Sequence, residues 1–234
     1  MIQIGQVIEA VKEKPDCFYK ERGAYHWARR LAHMLCGLMV IGLSFSVSSH
    51  QQFVTGLVIF SAAILIGDLL RIRMPQLNER LMSALKLFVR EGEQDRLSGM
   101  PYYWWGISLS YLLFPLPIAN FAVLFLSIGD PAAALVGSQS LCKGKTIPLV
   151  EGKSLQGSLA ALIACAVASF LVLPIWLDSA ALGMSERILL SFVCGLAASL
   201  GEILPLRTDD NLSLPLVSGA ILWVYLAMSG YFLL

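Results

Sequence analysis

The sequence predicts an all-α fold: a polytopic membrane helix bundle of about seven transmembrane helices, N-terminus cytoplasmic, with short amphipathic surface helices. Three observations predict it. Of 234 residues, 57% are hydrophobic and 14% charged, with a mean hydropathy of +0.71. A soluble domain carries about 45–50% and about 25%. Two charge-free runs are long, 37 residues between Arg30 and Asp68 and 33 between Arg96 and Asp130; roughly 20 apolar residues cross about 30 Å of hydrocarbon. The basic residues, finally, collect on alternate loops. A formal charge of +1, from 17 basic and 16 acidic residues, excludes a nucleic-acid binder, and the apolar content excludes a disordered chain. Composition alone leaves transporter, channel and enzyme open.

The first run is split by Ser48-Ser49-His50-Gln51-Gln52 into helices near 32–48 and 53–70. The second is broken at Pro115-Leu116-Pro117, which gives helices near 101–115 and 118–139. Three further spans follow at 155–177, 186–204 and 214–234. Residues 1–28 are read as an amphipathic N-terminal segment, because Ile4, Val7, Ile8 and Val11 recur at helical spacing. They lack the apolar core of a signal peptide. Leu77, Leu81, Leu85 and Phe88 predict a second surface helix in the 71–100 loop. In this seven-span arrangement sixteen of the seventeen Lys and Arg residues lie on one side, leaving only Arg187 on the other. The positive-inside rule makes that side cytoplasmic. None of the five cysteines forms a CxxC pair, and buried thiols inside spans behave as small apolar groups.

Charge at membrane depth costs about 2.5–3.5 kcal/mol on insertion scales, so it marks a candidate site. Asp130 is the clearest case, in Gly129-Asp130-Pro131-Ala132-Ala133-Ala134. Pro131 lacks an N–H and disfavours helical geometry at the residue before it, so the helix is expected to break here. Arg29, Arg30 and His33 fall at the inner end of the first span, and Asp68 with Arg71 at the inner end of the second. Lys145, Lys153 and Ser154 lie in the loop after the fourth. Glu202 closes the sixth span, and Asp209-Asp210-Asn211 follows in the next loop. All map to the cytoplasmic side. Oxygen ligands suit magnesium, and Lys and Arg beside glycines suit phosphates. Together they describe a magnesium–nucleotide or pyrophosphate site. Gly152-Lys153-Ser154 is not a Walker motif, since Ile147 stands where its first glycine belongs. Taken singly, a basic residue at an inner helix end is also what topology demands, and Asp68 and Arg71 at i and i+3 also neutralise each other.

The order of these elements resembles the polyprenol kinase family, which includes dolichol kinase, phytol kinase and the CTP-dependent diacylglycerol kinase. Arg29-Arg30-Leu31-Ala32-His33 with Gly37 resembles its R-[KR]-x-x-H…G start, and Asp68-Leu69-Leu70-Arg71 its D-x-x-R element. Gly129-Asp130 through Ala134 with Gly137 resembles its G-D-x-x-A-x-x-x-G signature. Lys153-Ser154-Leu155-Gln156-Gly157-Ser158 resembles K-[ST]-x-E-G-[ST], with Gln156 in the glutamate position. Glu202…Pro205…Asp210-Asn211-Leu212…Pro215 resembles the closing E…P…D-N-[LF]-x-[VI]-P pattern. The match spans residues 29–215.

The resemblance implies that residues 29–234 form a single membrane-embedded lipid-alcohol kinase domain. It implies transfer of the γ-phosphate of CTP to a polyprenol, dolichol or phytol type of alcohol in the bilayer, with Mg2+. Diacylglycerol and farnesol-type alcohols are further acceptors. The expected catalytic residues are Asp130 and Asp68. The expected nucleotide-binding residues are Lys145, Lys153, Ser154, Arg29, Arg30, His33, Arg71 and Asn211. The expected metal ligands are Asp130, Glu202 and Asp210. Two rival classes are a cytidylyltransferase of the CDP-diacylglycerol synthase type, whose D-R-x-D closing string is absent, and a transporter, which would carry polar groups on both sides. The site has one geometric requirement. A straight helix from Asp130 to Lys143 would hold them about 20 Å apart, at about 1.5 Å per residue. The helix must therefore break at Gly129–Pro131, bend near Gly137, or be met by a loop that folds back.

Overall fold

The computed structural model describes residues 18–84, 93–141, 153–177, 183–206 and 208–230. The expected Lys145 and most of the N-terminal segment lie outside them. Every element among the described residues is helical. The helices are α1 (Phe18–Ser46), α2 (His50–Arg73), α3 (Pro75–Ala84), α4 (Gly99–Leu113), α5 (Leu116–Leu124), α6 (Asp130–Leu141), α7 (Leu155–Trp176), α8 (Met184–Ile203) and α9 (Asp210–Met228). Among the described residues six helices are long and apolar enough to cross a membrane. The seventh expected segment, α4, has 15 residues, about 22 Å at 1.5 Å per residue.

Starts follow local chemistry. Ser49, Ser98, Ser154 and Asp209 stand at N-caps, each accepting from a backbone N–H of the first turn. Pro75 opens α3, where a missing N–H costs nothing. The Asp209 cap moves the last helix forward. Asp210 and Asn211, expected in a loop, form the first turn of α9.

The directions of the segments alternate, as side-chain pairs along them show. Going down α1, Ser44 donates to Asn120 at 3.1 Å, Gly37 lies against Ser127, and Arg30 feels the charge of Asp130. The α4 helix runs against α2, with Tyr111 edge-on to Phe53 and Ser108 at 2.7 Å from Ser61. It runs alongside α9, with Gly99 next to Asn211 and Phe114 next to Gly219. Arg29, Arg71, Gly99, Lys153, Glu202 and Asp210 therefore occupy one end of the bundle, the basic end. At the opposite end Arg187 is held by the Phe170 carbonyl, at 2.9 Å from Nε.

The expected break at Pro131 does not occur. Residues 116–137 form one apolar rod at the centre of the bundle; two thirds of it (67%) is buried, against at most 44% for the other spans. Asp130 itself is helical, at φ −60° and ψ −50°. The physical reason lies one turn earlier. Phe125–Gly129 is a π-turn, whose wider i→i+5 loop accommodates the proline ring that a strict i→i−4 ladder would clash with. The helix then continues unbroken to Leu141.

Close backbone approach holds α6, α7, α8 and α9 together. A methyl on Gly157 would stand 2.9 Å from the Ala133 carbonyl, and one on Gly195 would stand 2.5 Å from the Leu162 carbonyl. Apolar helices gain no hydrophobic drive from meeting in lipid, so such tight dispersion contacts and buried hydrogen bonds hold them. One such network sits at Asn120, buried and accepting from Tyr111 at 2.7 Å and Ser44 at 3.1 Å.

Candidate active site

The basic end is assembled from three adjoining groups. The first lies where α7, α8 and α9 meet. Lys153, one residue before the α7 cap, sets its Nζ 2.7 Å from Asp210 Oδ2 and 3.2 Å from Glu202 Oε1. Glu202 is buried and takes a second hydrogen bond, 2.7 Å, from the Ser158 hydroxyl. Burial alone would push the Lys153 ammonium down; the Asp210 and Glu202 carboxylates more than offset it and hold it above the usual lysine range. Two carboxylates share one ammonium, so the group has one negative charge in excess. That donor set suits a divalent cation accompanied by phosphate.

The second group is Asp130 with α1. Its carboxylate acts on the Arg30 guanidinium and on the Tyr103 hydroxyl. Tyr103 is buried, stacks on the His33 ring with centroids 4.4 Å apart, and donates to the His33 carbonyl. Asp130 stands at the start of α6, three residues before the Ala133 carbonyl that Gly157 abuts. Arg30 and His33 are thus brought to Asp130's side of the central rod.

The third group surrounds Gly99. A methyl there would stand 3.0 Å from an Arg29 guanidinium nitrogen and 3.2 Å from Asn211 Nδ2. Asn211 donates to the Gly99 carbonyl at 3.4 Å. Behind them Arg71, 3% exposed, grips Asp68 at 2.8 Å and the segment that leads into α4.

Asp130, Glu202 and Asp210 are not gathered into a single cage: among the described residues no group of three acidic, histidine or cysteine side chains could hold a metal. Glu202 and Asp210 converge on Lys153, whereas Asp130 lies within electrostatic reach of Arg30. The Ser154 hydroxyl accepts from Gly157 N at 3.1 Å as the α7 cap. The loop between α6 and α7 returns its last residues to the basic end, because Ser154 packs on Gly137. A straight α6 is therefore met by Lys153.

Three curated proteins match the chain, each named CTP-dependent diacylglycerol kinase 1. The protein of Eremothecium gossypii is 26% identical over 215 residues, 86% of this chain and 67% of its own length. That of Schizosaccharomyces pombe is 28% identical over 164 residues, 68% and 74% of the two chains. That of Saccharomyces cerevisiae is 25% identical over 208 residues, 81% and 70%. The chain is thus similar to CTP-dependent diacylglycerol kinases, in keeping with its resemblance to the polyprenol kinase family. No family model and no solved structure matches it.

Read on the fold, the family's elements are neighbours. The R-[KR]-x-x-H start faces the G-D element across α1 and α6, through Arg30 and Asp130. The K-[ST] element and the closing E and D-N residues meet through Lys153. The D-x-x-R element reaches the D-N residues by way of Gly99. Sequence reasoning passed over Glu93, Asn78 and Tyr103. Glu93 is buried and accepts from Gly99 N at 3.3 Å, and Asn78 accepts from Arg71 at 2.8 Å. Their only signal was position: two ordinary polar residues in a charged loop, and a tyrosine one helical turn past a cap.

Proposed function

We propose that this chain transfers the γ-phosphate of CTP to the hydroxyl of a membrane lipid, with magnesium, at the cytoplasmic face. The observation that carries the reading is the meeting of Lys153 with Glu202 and Asp210, at the end of the bundle that also holds Arg29, Arg30 and Asp130. The names of the relatives support CTP as donor. They also put diacylglycerol ahead of polyprenol, dolichol and phytol as acceptor. Sixteen basic residues on the loops of one side support the cytoplasmic assignment.

Phosphoryl transfer asks for positioning and charge neutralisation rather than for an activated nucleophile of the protein. Glu202 and Asp210 would hold Mg2+, which supplies charge neutralisation on the phosphates when bound. Lys153, beside them, would supply its ammonium to the phosphate chain. Arg29, Arg30 and Asn211 bind the nucleotide from the α1 and α9 side. Asp130 accepts the proton of the lipid hydroxyl as the oxygen attacks the γ-phosphorus. The bond from that phosphorus to the bridging oxygen breaks, and CDP leaves with the electron pair.

Purified protein in detergent, with Mg2+ and mixed lipid alcohols, is given CTP labelled at the γ- or the α-phosphate. Label is expected in lipid from γ-CTP alone, strongest with diacylglycerol, and lost with Asp130→Asn or on chelating the metal. Label from α-CTP would overturn the reading in favour of a cytidylyltransferase. Label from neither, with diacylglycerol, polyprenols and phytol all present, would overturn enzymatic transfer.

A further inference from the structure

The Asp68–Arg71 pair, at the end of α2, is engaged with α3 and with the segment that leads into α4. Arg71 Nε donates to Asp68 Oδ1 at 2.8 Å. Its terminal nitrogens donate to the side chain of Asn78 on α3 at 2.8 Å and to three backbone carbonyls, Glu93 at 3.2 Å, Gln94 at 3.1 Å and Arg96 at 2.8 Å. The second Asp68 oxygen accepts from Ser98 N at 2.7 Å. Asn78 adds a bond to the Gln94 carbonyl at 2.9 Å. A planar guanidinium with five donors in a fixed fork suits this task, and an ammonium cannot copy it.

The grip has one output, the start of α4. Its amides are already satisfied: Gly99 N by Glu93 Oε1 at 3.3 Å and Met100 N by the Ser98 hydroxyl at 3.4 Å, while Pro101 has none. This helix end is therefore closed to phosphate. What it presents is the bare face of Gly99, on which Arg29 and Asn211 both rest, 3.0 and 3.2 Å from where a methyl would stand. These two residues come from opposite ends of the chain and both lie against Gly99.

We propose that Asp68 and Arg71 are positioning residues: through residues 93–98 they build a seat at Gly99 that sets the Arg29 guanidinium and the Asn211 amide for the nucleotide. The nucleotide half of this statement rests on the function proposed above; the clamp itself does not. The assignment takes Asp68 out of the proton-transfer step and Arg71 off the phosphates.

The test uses the full chain in detergent and four variants. Arg71→Lys keeps the charge and loses the fork, Arg71→Gln loses both, Asn78→Ala removes one strut gently, and Gly99→Ala fills the seat. Backbone hydrogen exchange, measured without nucleotide, is expected to quicken about tenfold or more over 93–99 in Arg71→Lys and measurably in Asn78→Ala, as bonds of about 1 kcal/mol each are lost. With CTP, Arg71→Lys and Arg71→Gln are expected to raise KM alike, by about tenfold, with kcat little changed. The Arg71→Lys/Gly99→Ala double variant is expected to be no worse than the worse single one. Unchanged exchange over 93–99 in Arg71→Lys and Asn78→Ala would overturn the clamp. A near-normal KM in Arg71→Lys beside a large rise in Arg71→Gln would overturn it too, because charge alone would then be what matters. A wild-type protein that fails to use CTP would sink the proposed function, and the exchange measurement would still decide the clamp.

Discussion

Replacing Lys153 by Met removes the ammonium that Glu202 and Asp210 share, and the two carboxylates are not equally dependent on it. The Glu202 side chain is 8% exposed and that of Lys153 16%, whereas Asp210 is 47% exposed. Breaking a buried pair costs about 3–5 kcal/mol, because the remaining charge is left unpaired. The Ser158 hydrogen bond to Glu202 survives the substitution, which brings the expected loss to about 2–3 kcal/mol. The exposed Asp210 contact is screened by water and adds no more than about 1 kcal/mol. Equilibrium unfolding in detergent of Lys153→Met, Glu202→Gln, Asp210→Asn and the two doubles isolates each coupling. The Lys153–Glu202 coupling is expected near 2 kcal/mol, and Lys153–Asp210 below about 1 kcal/mol. The folded-state pKa of Lys153 is raised, so its contribution is fully present below the unfolded value of about 10.4 and is lost only as pH rises through the folded value. The coupling should therefore be flat from about pH 6 to 9. A larger coupling to Asp210 than to Glu202, or a coupling that decays within that window, would refute the reasoning.

Gly195→Ala drives a methyl against the Leu162 carbonyl and Ala166; thermal unfolding should show a loss of about 1–3 kcal/mol, whereas Gly42→Ala, with nothing within 4 Å, should be neutral or stabilising by up to about 1 kcal/mol. Asn120→Leu orphans the Tyr111 hydroxyl, while Ser44 keeps its bond to the Ile41 carbonyl, and should cost about 1–3 kcal/mol in the same assay. Ser158→Ala removes one of the two partners of Glu202 and should lower stability by about 1 kcal/mol while weakening Mn2+ binding, read by electron paramagnetic resonance.

Much of the architecture was legible because the bilayer imposes one length and one polarity on every span. The charge-free runs placed most helix ends to within a few residues, although α1 begins at Phe18 rather than near 32, and the basic loops gathered the candidate residues at one end. What escaped was the local backbone. The π-turn at 125–129 leaves no compositional trace, since Phe-Leu-Ser-Ile-Gly reads as ordinary apolar helix. The start of α9 was placed late because Asp209 and Asp210 look like a solvated turn until one of them is seen to cap the helix. In the site, the charged residues were legible one by one from their depth. Their partners were not: Glu202 and Asp210 lie on two helices and Lys153 just ahead of a third, and periodicity within one helix says nothing about contacts between helices. Asp68 and Arg71 were legible as a pair, but the four acceptors that turn the pair into a grip are mainly backbone carbonyls, which every sequence has.

The π-turn can also be described as an angle. Each residue of an α-helix advances the side-chain direction by about 100° and the chain by about 1.5 Å, and a π-turn holds one residue more than the α-turn it replaces. Residues 116–124 and 130–141 are therefore two α-helices out of phase by one residue. The first half aims Asn120 at α1 and α4; the second sets Asp130 on the side of Arg30 and keeps Gly137 against α7. Tightening 125–129 into α-helix with no change of length would leave every apolar character in place. It would also swing the second half by about 100°, taking Asp130 away from Arg30 and Gly137 off its neighbour. The wider turn is thus as binding on the site as the identity of its residues, and losing one residue there would close the turn with the second half still near its present direction.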